Sequence, residues 1–481
     1  MYKKVLLCIP PIPDIWGWPT DPHLGIGYLS SFLSMNDIEN DVLDMRLGYK
    51  TDDLIRRINK FRPDLIGMSI VSYRHDIAYD LIKKIKNSDC KIVIGGAHVS
   101  TTGKEALQEC PVDFAVKLEG EYTLLELCRG KDPAEIKGLI YRSKTGIIEN
   151  EDRPFIKDLD ELPFPKYEKF ELEKYSRRLV SILSSRGCPY QCIYCAVKVC
   201  MGREYRVRTP ENVVAELKYW YERDYREFDF LDDIPNFYKE RIYGICRLIE
   251  ENELKDLDLK CGNGLRADLV DRDLLKRMFE VGFKKVAFGV ESGSDKILRR
   301  IKKGEDISVI KKAIQDACEI GYDVFICFMV GHPDETPADF EESIKLALEY
   351  PISAVRFFNI VPFPGTELYN WVRDNNYFVK GRNGYLNCVS FFANEPIFAT
   401  PEFPYKERKK ALIRAKKIIG YVGRRAMERK LHRYTFLSKP IASLVYSSLG
   451  RKIIFRAMIN KTFKRISILI LKIFGLNFYM S

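Results

Sequence analysis

The stretch "SRGCPYQCIYC" (residues 185–195) places three cysteines, Cys188, Cys192 and Cys195, within eight positions of the chain. A structural zinc site needs four ligands, and neither a second C-x-x-C nor an H-x-x-x-H lies nearby. Thiolates are the usual ligands of a four-iron cluster, and three of them leave one iron without a protein ligand. Cys200 is the alternative fourth ligand, but a cluster closed in that way transfers electrons without activating a substrate. The spacing predicts an iron–sulfur centre that is open to a small molecule.

The composition is that of an ordinary globular chain. Its 481 residues suffice for two or three domains, and contents of 46% hydrophobic and 30% charged residues exclude wholesale disorder. The apolar stretch in "MYKKVLLCIPPIPD" stops at prolines after six residues, so it indicates a strand rather than a signal peptide. Thirteen cysteines then indicate metal binding and buried thiols rather than disulfides. We expect a cytoplasmic protein.

The net charge of +11 is concentrated at one end of the chain. Residues 405–481 contain 20 Lys and Arg against two acidic residues, Glu407 and Glu428. The other residues therefore carry a net negative charge, and the basic character belongs to the C-terminal region rather than to the rest of the protein.

Residues 1–128 alternate buried strands with helical patterns, which predicts a Rossmann-like, doubly wound parallel sheet. The five candidate strands are "KKVLLCIPP" (3–11), "DVLDM" (41–45), "DLIGMSIVS" (64–72), "KIVIGG" (91–96) and "DFAVKLEGE" (113–121). The ligand site of such a sheet lies at the carboxyl ends of its strands. No G-x-G-x-x-G opens the first helix, so a dinucleotide is not favoured. Residues 129–178 read as a proline-stiffened linker with a hairpin remnant at "GIIENEDRPF".

A second strand–helix alternation covers residues 179–375 and predicts a partial (βα)6 barrel, whose chemistry lies on the loops after the strands. The six candidate strands are "LVSILSS" (179–185), "EFDFLDD" (227–233), "LDLKCGNG" (257–264), "KKVAFGVES" (284–292), "DVFICFMVG" (323–331) and "AVRFFNIVP" (354–362). The three cysteines therefore follow the first strand of the predicted barrel.

A C-x-x-x-C-x-x-C motif after the first strand of a six-fold βα barrel resembles the radical S-adenosylmethionine superfamily. The resemblance implies that the amino and carboxylate groups of S-adenosylmethionine chelate the open iron of a [4Fe-4S] cluster. It also implies that one electron from the cluster cleaves the sulfonium and yields a 5′-deoxyadenosyl radical. A protein electron donor such as a ferredoxin or flavodoxin is then expected as a partner, together with a small-molecule or lipid substrate.

The resemblance also assigns further residues around the cofactor. The aspartates of "FLDDIPNF" are placed near the methionine ammonium, and the arginine of "GNGLRADL" is suited to a carboxylate. "GVESGS" is assigned to the methionine or ribose part, and "FMVGHPDET" and "VPFPGT" (361–366) to the adenine side. The alternative for the aspartates is that both are solvated loop acids. The residues carried over are Asp232, Asp233, Arg266, Glu291, Ser292, Val330 and Gly331.

A Rossmann-like domain joined to such a barrel by "LEGE" (118–121) resembles the cobalamin-binding subclass, over about residues 1–375. The resemblance implies that "GGAHVST" and the loop at 69–72 hold the lower ligand and nucleotide tail of the corrin. The implied cofactor-binding residues are Ser69, Ser72, Gly95, Gly96, His98, Glu119 and Glu121. Two alternatives remain open: His23 is either the lower axial ligand of cobalt or a plain loop residue, and the domain is either cofactor-binding or purely structural. Trp16 and Trp18 either cover the lower face of the corrin or pack elsewhere.

The C-terminal region, residues 376–481, is predicted to be basic and mostly helical. Residues 405–434 place Lys and Arg around an apolar stripe, and the apolar run from Ile466 to Leu476 is too short to span a bilayer. Three interpretations remain: the helices pack on the barrel, they lie in a membrane interface with anionic head groups, or they bind nucleic acid. No RNA-binding module is recognisable, so nucleic acid is not expected as a partner.

Together these patterns predict a cobalamin-dependent radical S-adenosylmethionine enzyme that functionalises an unactivated C–H bond by methyl transfer, with a lipid-like molecule as a candidate substrate. The alternative reaction is radical ring closure or carbon–carbon coupling, as in tetrapyrrole cyclases and hopanoid-tailoring enzymes. A cluster-containing and cobalamin-containing sensor is the non-enzymatic alternative. The difficult bond chemistry belongs in each enzymatic case to the cofactors, and the protein positions them.

Overall fold

The computed structural model of the chain describes residues 1–11, 18–86, 90–379, 384–388, 395–432, 438–447 and 450. Its element order is a strand–helix alternation that occurs twice, once in each predicted domain. Apolar runs such as Lys4–Ile9, with five of six residues buried, form strands because a parallel strand is covered on both faces.

The first sheet has seven strands in the order β2-β1-β3-β4-β5-β6-β7. The first five are parallel, and β6 and β7 continue the sheet as an antiparallel hairpin. Their bounds are β1 (Lys4–Ile9), β2 (Glu39–Asp44), β3 (Leu65–Ser69), β4 (Lys91–Gly95), β5 (Phe114–Val116), β6 (Leu139–Ser143) and β7 (Gly146–Glu149). The hairpin lies in the segment that we predicted to be a linker, so this part of it extends the sheet.

The strand order reverses between β1 and β3, which places a crevice at the carboxyl ends of these two strands. The helices of this domain are α1 (Leu24–Met35), α2 (Thr51–Phe61), α3 (His75–Ile85), α4 (Ala97–Thr102), α5 (Glu105–Glu109) and α6 (Glu121–Cys128). Alternate residues of β1 pack into two separate cores, with Leu7 in one and Cys8 in the other. The core that contains Leu7 continues into the second domain.

The second sheet has six parallel strands in the order β15-β14-β13-β12-β11-β8. Their bounds are β8 (Leu179–Ile182), β11 (Glu227–Phe230), β12 (Asp258–Leu265), β13 (Phe283–Glu291), β14 (Asp323–Val330) and β15 (Ala354–Asn359). Two short strands, β9 (Ser185–Arg186) and β10 (Arg206–Val207), pair as an antiparallel ribbon. Strand β9 follows β8 directly in the sequence. The predicted partial barrel of six strands is confirmed.

The helices of the barrel follow its strands, and several of them begin at a capping side chain. They are α7 (Val197–Cys200), α8 (Pro210–Tyr221), α9 (Lys239–Glu251), α10 (Arg272–Glu280), α11 (Asp295–Arg300), α12 (Ile307–Ile320), α13 (Pro337–Glu349) and α14 (Glu367–Asp374). The Thr209 hydroxyl caps α8 by accepting from the Asn212 amide at 3.2 Å. Thr336 and Asp339 form a capping box on α13.

Three further helices follow the barrel: α15 (Tyr385–Cys388), α16 (Tyr405–Leu431) and α17 (Ser438–Val445). Helix α16 packs its buried face, which includes Ala411, Leu412 and Ala415, against β15 and α13. The first part of the basic region is therefore an integral layer of the barrel, as in the packing interpretation. Within the described residues, no helix has the length and hydropathy needed to cross a bilayer. The apolar run Ile466–Leu476 lies outside the described residues.

Candidate functional site

The cysteine loop begins and ends in the β9–β10 ribbon, so its two ends are joined by strand pairing. The Cys188 amide donates to the Gly202 carbonyl oxygen at 3.2 Å and closes the loop further. Gly187 has φ +89°, and a Cβ there would collide with the Glu204 carbonyl oxygen, so this turn requires glycine. The loop that carries the three thiols is thus held closed at its base.

The thiols of Cys188, Cys192 and Cys195 are half-buried, and none of the three is in a disulfide. Burial raises the pKa of all three thiols; together with the other two sulfurs, it raises the pKa of Cys195 to about 12. The Lys303 ammonium acts in the opposite direction on Cys192. A metal centre that carries positive charge is what such closely placed thiols need in order to ionise.

The donor set fits an iron–sulfur cluster. Within the described part of the chain, no three His, Cys, Asp or Glu side chains are arranged to hold one metal ion. A four-iron cluster does not require such an arrangement, because each cysteine binds a different iron atom. The alternative ligand Cys200 has another partner, since its Sγ lies 4.0 Å from the Ala97 carbonyl oxygen of the first domain.

The two aspartates after β11 have different environments. Asp232 is fully buried and accepts from the Ser184 hydroxyl at 3.0 Å and the Ser185 hydroxyl at 2.6 Å, which fixes the start of the cysteine loop. Asp233 is half-buried and accepts from the Gly187 amide at 3.2 Å. Burial raises the pKa of Asp233 to about 6, and its charge acts on Cys188. Asp233 is therefore the aspartate that faces the thiols.

Arg266 donates four hydrogen bonds within the protein. It forms a two-pronged pair with Asp268, at 2.9 and 3.0 Å, and donates to the carbonyl oxygens of Lys303 and Gly304, each at 3.1 Å. Its guanidinium lies 3.4 Å from the centre of the Tyr190 ring. Since Tyr190 lies between Cys188 and Cys192, the structure places Arg266 as a support of the cysteine loop rather than as a free carboxylate receptor.

Glu291 lies beside the loop at the end of β13, with the left-handed φ of +67°. Its carboxylate is 3.5 Å from the Lys303 ammonium, which also lies 3.2 Å from Glu305. Burial raises the pKa of Glu291, while Lys303 and the Tyr194 hydroxyl lower it. Sequence reasoning missed Lys303 because "RRIKKGED" resembles an exposed charged segment; the glycine after the lysine pair was the available signal. Ser292 is fully buried, and its Oγ accepts from the Ser294 amide at 3.2 Å.

Gly331 follows the buried Val330 at the end of β14, where the resemblance placed adenine. Its φ is +106°, and a Cβ would lie 2.5 Å from Arg408 Cζ. The Glu335 carboxylate accepts from the amides of Gly331, at 2.5 Å, and His332, at 2.9 Å. The turn at Gly331 is thus held from within by Glu335 and from α16 by Arg408, a residue that sequence reasoning missed.

Two neighbouring cavities occupy the crevice of the first sheet, and both also touch the second domain. The first cavity, of about 430 Å³, is lined by Ser69, Ser72, Arg74, Ala196 and Phe363, among others. The second cavity, of about 360 Å³, is lined by residues that include Ser69, Gly95, Gly96, Arg186 and Met201. Ala196 directly follows Cys195, so the cysteine loop forms part of the wall of the first cavity. Six of the seven predicted cobalamin residues thus line these cavities: Ser69, Ser72, Gly95, Gly96, Glu119 and Glu121.

His98 does not line either cavity. It is buried in the first domain, stacked on His75 with 4.3 Å between ring centres, and its Nε2 lies 2.8 Å from the Tyr79 hydroxyl. Burial lowers the pKa of His98 to about 3, so the ring is neutral. His23 lines both cavities, and its Nδ1 accepts from the Ile26 amide at 3.2 Å as the cap of α1. Trp18 packs against the linker by donating to the Lys174 carbonyl oxygen at 2.8 Å; Trp16 lies outside the described residues.

Glu119 and Glu121 line the second cavity, but their carboxylates bind arginines of the ribbon. Arg186 Nη1 donates to Glu119 at 2.7 Å, and its Nη2 donates to Glu121 at 2.8 Å. Arg206 Nη1 donates to both oxygens of Glu119, at 2.8 and 2.9 Å. The "LEGE" segment therefore ties the first domain to the stem of the cysteine loop.

Comparison with known proteins agrees with this geometry. Residues 182–347 match the family model of the radical SAM superfamily, and residues 21–128 match that of the B12 binding domain. The uncharacterized methyltransferase PH0819 of Pyrococcus horikoshii is 30% identical over 427 residues, which cover 86% of this chain and 91% of that protein. The anaerobic magnesium-protoporphyrin IX monomethyl ester cyclase of Rubrivivax gelatinosus is 26% identical over 375 residues, which cover 73% of this chain and 66% of the cyclase.

A solved structure shares the fold. It is that of the radical S-adenosylmethionine methyltransferase TsrM from Kitasatospora setae, with tryptophan substrate and a SAM analog bound. The TM-score is 0.69 at 21% identity, and the match covers 78% of this chain and 76% of TsrM. The chain is thus a radical S-adenosylmethionine protein with an N-terminal B12 binding domain. It belongs to the cobalamin-binding radical S-adenosylmethionine enzymes, as the sequence resemblance predicted.

Proposed function

We propose that this enzyme is a cobalamin-dependent methyltransferase that modifies an unactivated C–H bond of a small-molecule substrate. The observation that carries the proposal is the wall shared by the cysteine loop and the cavities of the B12 binding domain, where Ala196 and Arg186 lie beside residues of the first sheet. A cofactor in these cavities and a cluster on the loop would therefore be neighbours. When bound, the cluster supplies the electron that cleaves S-adenosylmethionine, and cobalamin supplies the methyl group.

Different residues of this chain would bind the cluster, S-adenosylmethionine and cobalamin. Cys188, Cys192 and Cys195 would bind the [4Fe-4S] cluster as thiolates. Asp233 is suited to the ammonium of S-adenosylmethionine, since it is half-buried and faces the thiols. Glu291 and the backbone after Val330 are the candidates for its other polar groups. Ser69, Ser72, Gly95 and Gly96 would contact cobalamin, since they line the two cavities.

Glycines give the cavities their room for a large ligand. At Gly96, with φ +94°, a Cβ would lie 2.8 Å from the Ile70 carbonyl oxygen, so this turn requires glycine. Gly67 and Gly95 also line the second cavity and present backbone instead of a side chain. The wall is mainly apolar, which suits a ligand that is shielded from water.

The test is anaerobic reconstitution with iron and sulfide, followed by incubation with cobalamin, S-adenosylmethionine and dithionite. We expect about four irons per chain and formation of both 5′-deoxyadenosine and S-adenosylhomocysteine. A protein with a full iron content that forms neither product would overturn the proposal.

The match to the Rubrivivax cyclase favours one alternative reaction, radical ring closure without methyl transfer. The same assay separates the two reactions. Formation of 5′-deoxyadenosine without S-adenosylhomocysteine, in the presence of cobalamin, would favour ring closure over methyl transfer.

We further propose that a ferredoxin or flavodoxin supplies the electron, and that the basic C-terminal region contacts anionic membranes, which would suit a lipid-like substrate. The exposed side of α16 supports the membrane contact because it carries Lys410, Arg414, Lys417 and Arg425. Sedimentation with anionic liposomes tests it, with a chain ending at residue 450 as the comparison, since α16 is part of the barrel. If the full chain stays in the supernatant, the membrane contact is refuted.

A further inference from the structure

Four charged side chains join the two domains at the stem of the cysteine loop: Glu119, Glu121, Arg186 and Arg206, here called the stem network. All four are buried. Arg186 and Arg206 face each other as a pair of the β9–β10 ribbon, and Glu119 binds both of them. Each end of the loop that carries the cysteines is therefore tied to the same carboxylate of the first domain.

Buried ion pairs of this kind are weak evidence for stability, because desolvation of the charges offsets much of their attraction. Apolar residues of similar volume would hold two domains together as well. The position of the pairs suggests another role. Arg186 lies two residues before Cys188, so a displacement of its side chain moves the first thiol of the loop.

The stem network also forms part of the wall of the second cavity. Glu119, Glu121 and Arg186 all line it, together with Gly120 and the neighbouring Leu118, whose φ is +59°. A ligand that fills this cavity touches both the carboxylates and the guanidinium. It also replaces water around them, which strengthens their electrostatic attraction.

We propose that Arg186 is a positioning residue through which a ligand in the second cavity fixes the cysteine loop, so that cleavage of S-adenosylmethionine depends on bound cobalamin. The inference rests on the proposed function, because it takes cobalamin to be that ligand. Without the ligand, water in the cavity beside these buried groups screens their attraction, and the loop samples positions in which the thiols are displaced. Small displacements of reacting groups cost large factors in rate.

The experiment compares rates of 5′-deoxyadenosine formation with and without saturating cobalamin, using reconstituted enzyme, S-adenosylmethionine and dithionite. The variants are Arg186→Lys, which keeps the charge but loses the fork that spans two carboxylates, and Glu121→Gln. The matched control is Glu149→Gln: Glu149 accepts from Lys117 at 2.7 Å in the same domain and lines neither cavity.

We expect cobalamin to raise the rate at least about tenfold in the unaltered enzyme and in Glu149→Gln, and less than about twofold in Arg186→Lys and Glu121→Gln. Iron content and the denaturation midpoint are measured on the same samples. If only the positive charge at position 186 matters, cobalamin will raise the rate in Arg186→Lys as much as in the unaltered enzyme. That result would overturn the proposal.

The remaining outcomes separate this inference from the proposed function. An unaltered enzyme that forms S-adenosylhomocysteine, but cleaves S-adenosylmethionine equally fast without cobalamin, overturns the coupling and leaves methyl transfer intact. Loss of iron from both variants, with Glu149→Gln fully loaded, makes the stem network a plain scaffold and also overturns the coupling. An unaltered enzyme that forms neither product contradicts the proposed function itself.

Discussion

Arg408 Nη2 donates a hydrogen bond of 3.0 Å to the carbonyl oxygen of Gly331, and so joins the C-terminal helix α16 to the end of the fifth barrel strand. Arg408 is fully buried, and its Nη1 donates to the Phe398 carbonyl oxygen at 2.5 Å. Burial lowers the pKa of Arg408 to about 10, so the guanidinium stays charged at neutral pH. The basic C-terminal region therefore contributes a structural cation to the loop that we assign to the adenine side of the cofactor.

Replacement of Gly331 by alanine is expected to destabilise the protein by about 2–5 kcal/mol, because it adds left-handed strain and a clash with Arg408. Urea denaturation of the apoprotein measures the loss. Gly146→Ala is the control: its φ is also positive, at +133°, but no atom lies within 4 Å of its Cβ position. Equal losses in the two variants would show that the contact with Arg408 contributes nothing.

Each single replacement by alanine, at Cys188, Cys192 or Cys195, should abolish cluster binding. The iron atom that this cysteine would bind is then left without a protein ligand. Iron content after anaerobic reconstitution should fall from about four per chain to below about one. Cys200→Ala should remain fully loaded, since its sulfur faces Ala97. Loss of iron from Cys200→Ala would instead show that Cys200 is a fourth ligand of the cluster.

The stability of the apoprotein should decrease as pH rises from about 4.5 to about 7, through the titration of Glu335. Burial raises the pKa of Glu335 from 4.5 to about 7, so in this window the folded state binds more protons than the unfolded state. The contribution is at most about 3 kcal/mol. Denaturation midpoints across this pH range measure it.

Glu335→Gln should lose this component of the pH dependence, and Glu342→Gln, which alters an exposed acid of the adjacent helix α13, should keep it. An unchanged pH profile in Glu335→Gln would mean that the carboxyl group at position 335 titrates at its ordinary pKa.

Arg266→Lys should lower the iron content and destabilise the protein by about 1–3 kcal/mol, because lysine can neither fork onto Asp268 nor stack on Tyr190. Tyr190→Ala should lose iron in the same way. Tyr190→Phe keeps the ring and should bind iron normally. A normal iron content in Arg266→Lys would show that the stacked pair does not support the cysteine loop.

The succession of strands and helices in the barrel and the position of the cysteine loop could be predicted from the sequence, because they depend on local features. Apolar runs of the right length identified all six barrel strands, and the cap at Thr209 marked α8. Motif spacing then placed the cysteines after the first strand.

The partners of individual side chains could not be predicted in this way. Glu121 binds Arg186, which lies 65 residues further along the chain, and Gly331 binds Arg408, which lies 77 residues away. His98 belongs to helix α4, whose residues Ala97 and Thr101 line the first cavity, yet its ring packs on His75 inside the domain. Such contacts are set by how the domains and helices pack, and no local pattern encodes them.

The contact between Gly331 and Arg408 also has a consequence for biosynthesis. Domains generally fold as units while the chain is being made, beginning at the N-terminus. The turn at Gly331 acquires its buried cation only after α16 has left the ribosome and packed on the barrel. This turn is therefore among the last parts of the barrel to reach its final packing.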